Sequence, residues 1–372
     1  MKIAILTQPL HNNYGGLLQA FALQNYLKNQ GHDVLTVDFS MHYKPRYFGI
    51  KKIIGNIIRK YILRRPMKSI FPLTNKQKRE IGQHTNRFTA EKIRTTQRIY
   101  SEGEFDYIKK YQFDAYVVGS DQVWRPTYSP GISAYFLSFL NKSDKVKRIA
   151  YAASFGVDNC DEFNPEQLIE YSLLLKKFDA VGVREDSAVD LCKKHFDVVA
   201  EHVIDPTLLL DKEDYCQLVD QYNTPLSDGN MMVYVLDKSL EKQKIIQTVA
   251  SKCNLCPFTV MPVNNGIYPP VTQWLRGFMD AEYVVTDSFH GVVFSIIFNK
   301  SFIAIGNHGR GLARFTSILN MFNLTERLIF DHDQLTDELI NASIDYSKVN
   351  RLKVTKQQFA QHFLKRVLSE SK

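Results

Sequence analysis

The sequence predicts an α/β protein of two domains facing a cleft, and three observations carry that prediction. The chain has 372 residues, enough for two ordinary domains. Short β-branched runs alternate with helical patterns in two successive series, the arrangement that builds parallel sheets. Between the series stands DPTLLL (205–210), where Pro206 makes a natural hinge. The expected boundaries are 1–205, 206–349 and a C-terminal helix within 350–372 that packs back on the first domain.

KIAIL (2–6) reads as a buried strand, NNYGGLLQAFALQNYLKNQG (12–31) as a glycine-bearing turn and a helix ending at Gly31, and DVLTVDF (33–39) as the next strand. Further strands are expected at DAYVVGS (114–120), KRIAYAASFG (147–156), AVGVRE (180–185) and VVAEHVI (198–204). The second series runs through strand MMVYVL (231–236), a helix over 239–252, strand NLCPFTVMP (254–262), a helix over 274–281, and strands EYVVTD (282–287) and SFIAIG (301–306). Open parallel sheets bind ligands beyond the carboxyl ends of their strands, so the cleft is where function is sought.

Composition narrows the class. The five cysteines (160, 192, 216, 253, 256) are odd in number and scattered, which suits a reducing cytosol better than a disulfide framework. No stretch approaches the roughly 18 apolar residues of a membrane span, and the N-terminus lacks a leader's cleavage site. The expectation is a cytoplasmic protein. Its formal charge of +8 is local: residues 41–79 hold twelve Lys/Arg and no acid, and without them the chain would carry −4. The pI of 9.0 is therefore no argument for a nucleic-acid partner.

VVTDSFHGVVFS (284–295) ends a β-branched run and opens an apolar helix. A helix N-terminus offers unpaired N–H groups and partial positive charge to a phosphate or carboxylate. Ser288 could cap it, Gly291 could admit a ligand close to the backbone, and His290 would be aimed at that ligand; a plain cap with a satisfied helix-end histidine fits equally. NNYGG (12–16) brings a second helix N-terminus to the cleft but lacks G-x-G-x-x-G, so no dinucleotide site is supported. In GSDQVWRP (119–126), Asp121 and Trp124 suit the hydroxyls and C–H face of a sugar, or else form a capped loop over a core Trp. Arg184 in GVRED (182–186) could grip an anion by two bonds or pair with Glu185 or Asp186. Arg310 and Arg314, in NHGRGLARF (307–315), could face an anion; the lone CNLC (253–256) is a weak metal or redox signal.

The basic insert has its own pattern. Ile50, Ile53, Ile54, Ile57, Ile58, Tyr61 and Ile62 follow helical spacing, flanked by Lys51, Lys52, Arg59, Lys60, Arg64 and Arg65. Such a helix can lie on an anionic membrane surface, with Ile50, Ile53, Ile54, Ile57, Lys51, Lys52, Arg59 and Lys60 as contacts, or pack on the domain with a solvated basic face.

NNYGGLLQAFAL (12–23), VVGSDQVW (117–124), IAYAASFG (149–156), GVREDS (182–187), VIDPTLLL (203–210) and VVTDSFHGVVFSIIF (284–298), in that order, resemble the polysaccharide pyruvyltransferase family. The resemblance implies two Rossmann-like domains in a GT-B-like arrangement. It also implies transfer of the pyruvyl group of phosphoenolpyruvate to two hydroxyls of one sugar as a cyclic ketal, with release of phosphate. The acceptor expected is a galactose-type sugar, 4,6-linked, on a polyprenyl-diphosphate carrier in surface or capsular polysaccharide synthesis, at the inner face of the membrane. No cofactor, metal or nucleic acid is implied, because phosphoenolpyruvate is the substrate. The donor motif maps on His290 and Gly291 beside Ser288, the strand-end Arg on Arg184, and the basic residue about twenty positions later on Arg310, with Arg314 as fallback. Relatives carry Arg-Leu beside the motif His, where this chain has Ser288-Phe289 before it and Val292 after.

The chemistry suits these residue types. A trianionic donor needs fixed cations or N–H donors, and ketal formation needs an acid to protonate the methylene carbon, for which His290 is the candidate. Asp121, with Glu185 behind it, is the candidate base. Asn13, Tyr14, Asp121, Gln122 and Trp124 are the candidate acceptor contacts. Two other classes compete: a nucleotide-sugar glycosyltransferase, which would need Asp287 or Glu282 for a ribose, and a non-catalytic saccharide-binding protein.

Overall fold

The computed structural model describes residues 1–40, 48–62, 74–141, 143–262, 266–306 and 311–369. The first half is built from β1 (Lys2–Leu6), α1 (Tyr14–Asn29), β2 (Asp33–Thr36), α2 (Phe48–Ile57), α3 (Asn75–Ile81), α4 (Gln83–Lys92), β3 (Ala115–Val118), β4 (Lys147–Ala153), α5 (Pro165–Leu175), β5 (Ala180–Val183), α6 (Asp186–Phe196) and β6 (Glu201–His202). Its sheet has the order β2-β1-β3-β4-β5-β6. Every pairing is parallel. Helices cover both faces, which is why the central strands carry continuous apolar runs rather than alternating; β4 is buried over its whole length.

The second half continues with α7 (Lys212–Gln221), β7 (Met231–Tyr234), α8 (Leu240–Lys252), β8 (Pro257–Phe258), α9 (Val271–Asp280), β9 (Tyr283–Thr286), α10 (Phe289–Ile297), β10 (Ser301–Ile305), α11 (Ala313–Phe322), β11 (Leu328–Ile329), α12 (Asp337–Asn341) and α13 (Tyr346–Ser369). Its parallel sheet has the order β11-β10-β9-β7-β8. The strand expected over 254–262 shrinks to Pro257–Phe258, because Pro257 has no N–H for a ladder and the Cys256 N–H is taken by Asn230 Oδ1 at 2.7 Å. β6 shrinks likewise to two half-buried residues at a sheet edge. β11 is a two-residue strand that the pattern did not announce.

One apolar cluster runs through both halves. α1 lies between them and is buried nearly all round, so it carries no clean polar face. Its first residue, Tyr14, stacks on Trp274 with ring centroids 5.7 Å apart and donates its hydroxyl to the Pro269 carbonyl at 2.9 Å. α13 also ties the halves. The Tyr346 hydroxyl donates to the Ser295 carbonyl at 3.3 Å, the Gln357 amide to the Leu208 carbonyl at 2.9 Å, and near the far end Lys147 donates to the Val367 carbonyl and Arg366 pairs with Glu201.

α2 passes into a π-helical turn, Ile58–Ile62, so the spacing on which the isoleucine stripe was read does not continue straight to its end. Ile54, Ile57, Ile58, Tyr61 and Ile62 are exposed, Ile53 is half-buried and Asn56 is buried. The side chains of Ile50, Lys51, Lys52, Arg59 and Lys60 lie outside the described residues, as do Arg64 and Arg65. Among the described residues, no helix is long and apolar enough to cross a membrane.

Candidate active site

Parallel strands deliver their ends to one side, and here four of those ends carry an ionisable residue: Asp121 after β3, Arg184 after β5, Asp205 after β6 and Asp287 after β9. A cavity of about 910 Å³ opens there between the halves. Gln8–Asn13, Asp121 and Gln122 line it from the first half, and Leu236, Asp287–His290 and Arg314 from the second.

His290 stands in the first turn of α10, and its ring packs against the first turn of α1. A Cβ on Gly15 would overlap that ring, which explains why glycine opens α1. The Nε2 atom makes no hydrogen bond and lies 3.7 Å from Asp205 Oδ2, within ion-pair range. The side chain of Ser288 makes no cap bond, and its N–H donates to Thr286 Oγ1 at 3.1 Å. The α10 N-terminus is therefore open to an anion on the cavity side. Beneath it, Asp287 is fully engaged: it accepts from the Leu236 and Asp237 N–H groups at 2.6 and 3.1 Å and from Lys242 Nζ at 2.5 Å. Glu282 sits before β9, at the opposite end of the strand, and accepts from Asn230. Both carboxylates proposed for a ribose are thus committed elsewhere.

Arg184 is buried among three carboxylates. Its guanidinium reaches Asp205 at 3.0 Å, Asp121 at 3.5 Å and Glu185 at 3.6 Å, and lies 4.7 Å over the Phe289 ring. The Arg314 guanidinium lies 5.6 Å from the same ring. Phe289 thus offers one ring to two cations. Burial works against the charge of Asp205, but His290 and Arg184 overcome it and hold this carboxyl well below the usual range. The same holds for Asp121, where Arg184, His290 and Arg314 outweigh burial. Glu185 goes the other way: it is fully enclosed, and burial raises it despite Arg184 and a hydrogen bond from Ser154. Burial and the neighbouring Arg184 push Arg314 down to about 10.

Asp121 sits at φ 76°, a left-handed backbone that costs roughly 1–2 kcal/mol outside glycine and that marks a residue held in place. Its Oδ1 accepts from the Gln122 N–H at 2.8 Å and from Arg184 at 3.5 Å.

The cavity brings together Asn13, Asp121, Gln122, Ser288, His290 and Arg314. It does not include five other candidates. Arg184 donates to Asp205, Asp121 and the Ser120 hydroxyl and is only 4% exposed, so it braces the site from within and is not among the residues that line the cleft. Gly291 packs on Thr286, whose side chain a Cβ would overlap, so its missing side chain serves the strand–helix corner and not a ligand. Tyr14 is locked under Trp274. Trp124 is fully buried, stacked on Phe136 at 5.4 Å with its indole N–H donated to the Tyr135 carbonyl, and offers no face to a sugar. Glu185 is equally enclosed. Arg310 lies outside the described residues.

Sequence reasoning missed Asp205, read only as part of a hinge, and Lys242, which braces Asp287. It also missed Tyr100 and Tyr128, the exposed aromatic rings that line the cavity. Tyr128 rests on the Arg125 guanidinium at 4.5 Å, and Arg125 is held by Glu162 at 2.8 Å. Its position four residues beyond Trp124 was the available signal.

The model of the family described as polysaccharide pyruvyl transferase matches residues 13–309. No curated protein matches the chain significantly. Among solved structures, it is similar to a putative UDP-N-acetylglucosamine 2-epimerase from Listeria monocytogenes, at 10% identity and a TM-score of 0.51 over 99% of this chain and 96% of that one. It is also similar to Arabidopsis thaliana UGT89C1 complexed with UDP-L-rhamnose, at 10% identity and a TM-score of 0.50 over 97% and 95%. A glycosyltransferase from Rickettsia africae ESF-5 aligns over 100% and 99% at 11% identity and a TM-score of 0.48. At such identities the likeness is one of fold: a GT-B-like pair of Rossmann-like domains.

Proposed function

The chain belongs to the polysaccharide pyruvyl transferase family, and on that premise we propose that it moves the pyruvyl group of phosphoenolpyruvate onto two hydroxyls of one sugar, as a cyclic ketal. The observation that carries this reading is the placement of His290 at the open N-terminus of α10, with Asp205 behind it, Arg314 beside it and Asp121 in the same cavity. The helix terminus, Ser288 and Arg314 bind the donor's charge, and Arg310 is proposed to add to it. Arg184 keeps Asp121 and Asp205 in place.

A proton from His290 adds to the methylene carbon of phosphoenolpyruvate while a sugar hydroxyl attacks the neighbouring carbon and gives up its own proton to Asp121. The carbon–oxygen bond to phosphate then breaks, phosphate leaving with the electron pair. The second hydroxyl closes the ketal and returns a proton to His290, while the proton held by Asp121 passes to the departing phosphate. Asp205 stabilises the imidazolium without taking part in the transfer. Asp121 is ionised at neutral pH and so can accept a proton, though its depressed basicity makes positioning its larger contribution. Tyr128 and Tyr100 supply the aromatic faces for the acceptor sugar.

We further propose that the acceptor is carried on a lipid and that the exposed isoleucines of the α2 region meet an anionic membrane. Their exposure in an acid-free basic segment supports this reading.

Calorimetry with phosphoenolpyruvate and a phosphate-release assay test the central step. Saturable binding is expected on the native chain, weakened in Arg314→Ala and retained in His290→Ala, with turnover in His290→Ala down by roughly 10²–10⁴-fold. Absence of binding to the native chain, with UDP binding instead, would overturn the reading in favour of a nucleotide-sugar enzyme.

A further inference from the structure

The cavity extends well beyond the donor residues. Its far wall holds Lys78 and Arg79 on the last turn of α3, with Arg98 at the edge of the first sheet. Phe39, just past β2, bridges in parallel to Ile99, so the segment bearing Arg98 lies beside β2 as an extra edge. In sheet order it stands three strand steps from β3, whose end carries Asp121. At about 4.8 Å per step, Arg98 is about 14 Å along the cleft from the donor end. That is further than a single sugar ring reaches.

Cations on the last turn of α3 complement the helix dipole, which accounts for their sign but not for their facing the cleft. The helix is fixed there. A capping box at Thr74 and Gln77 starts it, the Ile81 carbonyl accepts the Tyr268 N–H from the second half at 3.0 Å, and Thr85 just beyond donates to Asn12 at 2.6 Å. Arg98 gives its Nε–H to Asp38 at 2.8 Å and stays half-exposed. Asp38 is the acid lining this end, so three cations face one carboxylate. Lys78 and Arg79 are also the last two cations of the acid-free run that begins at residue 41 and includes the exposed isoleucines.

We infer that Lys78, Arg79 and Arg98 form a subsite for the diphosphate of the acceptor's carrier, leaving the sugar between this subsite and His290. This rests on the pyruvyl-transfer reading and names its substrate class, a sugar attached through a diphosphate. A prenyl-type lipid is the carrier already proposed; a nucleoside carrier would present the same diphosphate, and the probes below tell the two apart.

Calorimetry at low salt with farnesyl diphosphate, UDP and inorganic pyrophosphate, on the full chain, tests the subsite without any turnover. Lys78→Glu/Arg79→Glu, both exposed, is expected to weaken every probe that binds by at least about tenfold, and Arg98→Ala to weaken it less. Phosphoenolpyruvate binding stays as in the native chain. Farnesyl diphosphate binding tighter than pyrophosphate assigns a lipid carrier, and tighter UDP a nucleotide carrier. Failure of all three probes to bind, or binding undiminished in the double variant, overturns the subsite. Loss of phosphoenolpyruvate binding on the native chain, with diphosphate binding intact, would instead discard the donor reading and leave the subsite standing.

Discussion

The two ends of the cleft use charge in opposite ways. At the donor end Arg184, Asp121, Asp205 and His290 are buried and held against one another at 3.0–3.7 Å. At the far end Lys78 and Arg79 project from an exposed helix face and Arg98 is half in solvent. Buried charges cannot be removed singly without leaving a partner uncompensated, so that end is rigid and its geometry is fixed before any ligand arrives. Exposed charges are screened and individually weak, so that end recognises a ligand without contributing much to the fold. Precision of chemistry and breadth of recognition are thus separated along one cavity.

The comparison is broken most directly at Arg184. Arg184→Met removes the cation shared by three buried carboxylates and is expected to cost about 3–5 kcal/mol in urea unfolding. A cost below about 1 kcal/mol would mean the donor end is not locked by charge. The aromatic rings sharpen the same contrast. Trp124→Ala should cost about 3–5 kcal/mol as a core truncation. Tyr128→Ala should stay within about 0.5 kcal/mol of the native chain and raise the KM for acceptor. An unchanged KM would remove Tyr128 from the sugar's path.

A further effect is confined to acid. Asp205 and Asp121 have folded pKa values below their unfolded ones, so their stabilisation is full above about pH 4 and fades as pH falls below it. Each group contributes a slope of up to about 1.4 kcal/mol per pH unit in that window. Asp205→Asn should flatten the acid side of a stability–pH curve, and an unaltered slope would show that Asp205 is not held ionised. Glu185, raised by burial, has the opposite sign: its contribution is full in acid and fades as pH climbs through its raised value.

The sequence made the alternation of strands and helices plain, because parallel strands covered on both faces leave uninterrupted runs such as YVVT and SFIAI. It also brought His290 and Asp121 forward, since both follow such runs directly. What it could not express was side-chain direction. Trp124 beside a polar Asp looked like a platform, yet its indole turns inward to the Tyr135 carbonyl. Arg184 reads as a grip for an anion or a partner of Glu185 or Asp186, yet two of the carboxylates that claim it lie 63 and 21 residues away in the chain. Asp205 passed as a hinge residue, although Asp121, Arg184 and Asp287 already put charges at strand ends in the same cleft. Treating all strand ends alike would have found it.

α13 starts against the carbonyls around α10 and β10 and finishes on β4 and β6 of the other half. Its 24 residues span about 36 Å, so it stitches the halves together along a spine. A bound spine lets the covers part only at the fore-edge. A swing of the halves about the α13 side would open the cleft at the opposite margin, where α3 meets the 267–270 segment. The hydrogen bond there from the Tyr268 N–H to the Ile81 carbonyl, at 3.0 Å, is the clasp that holds that margin shut.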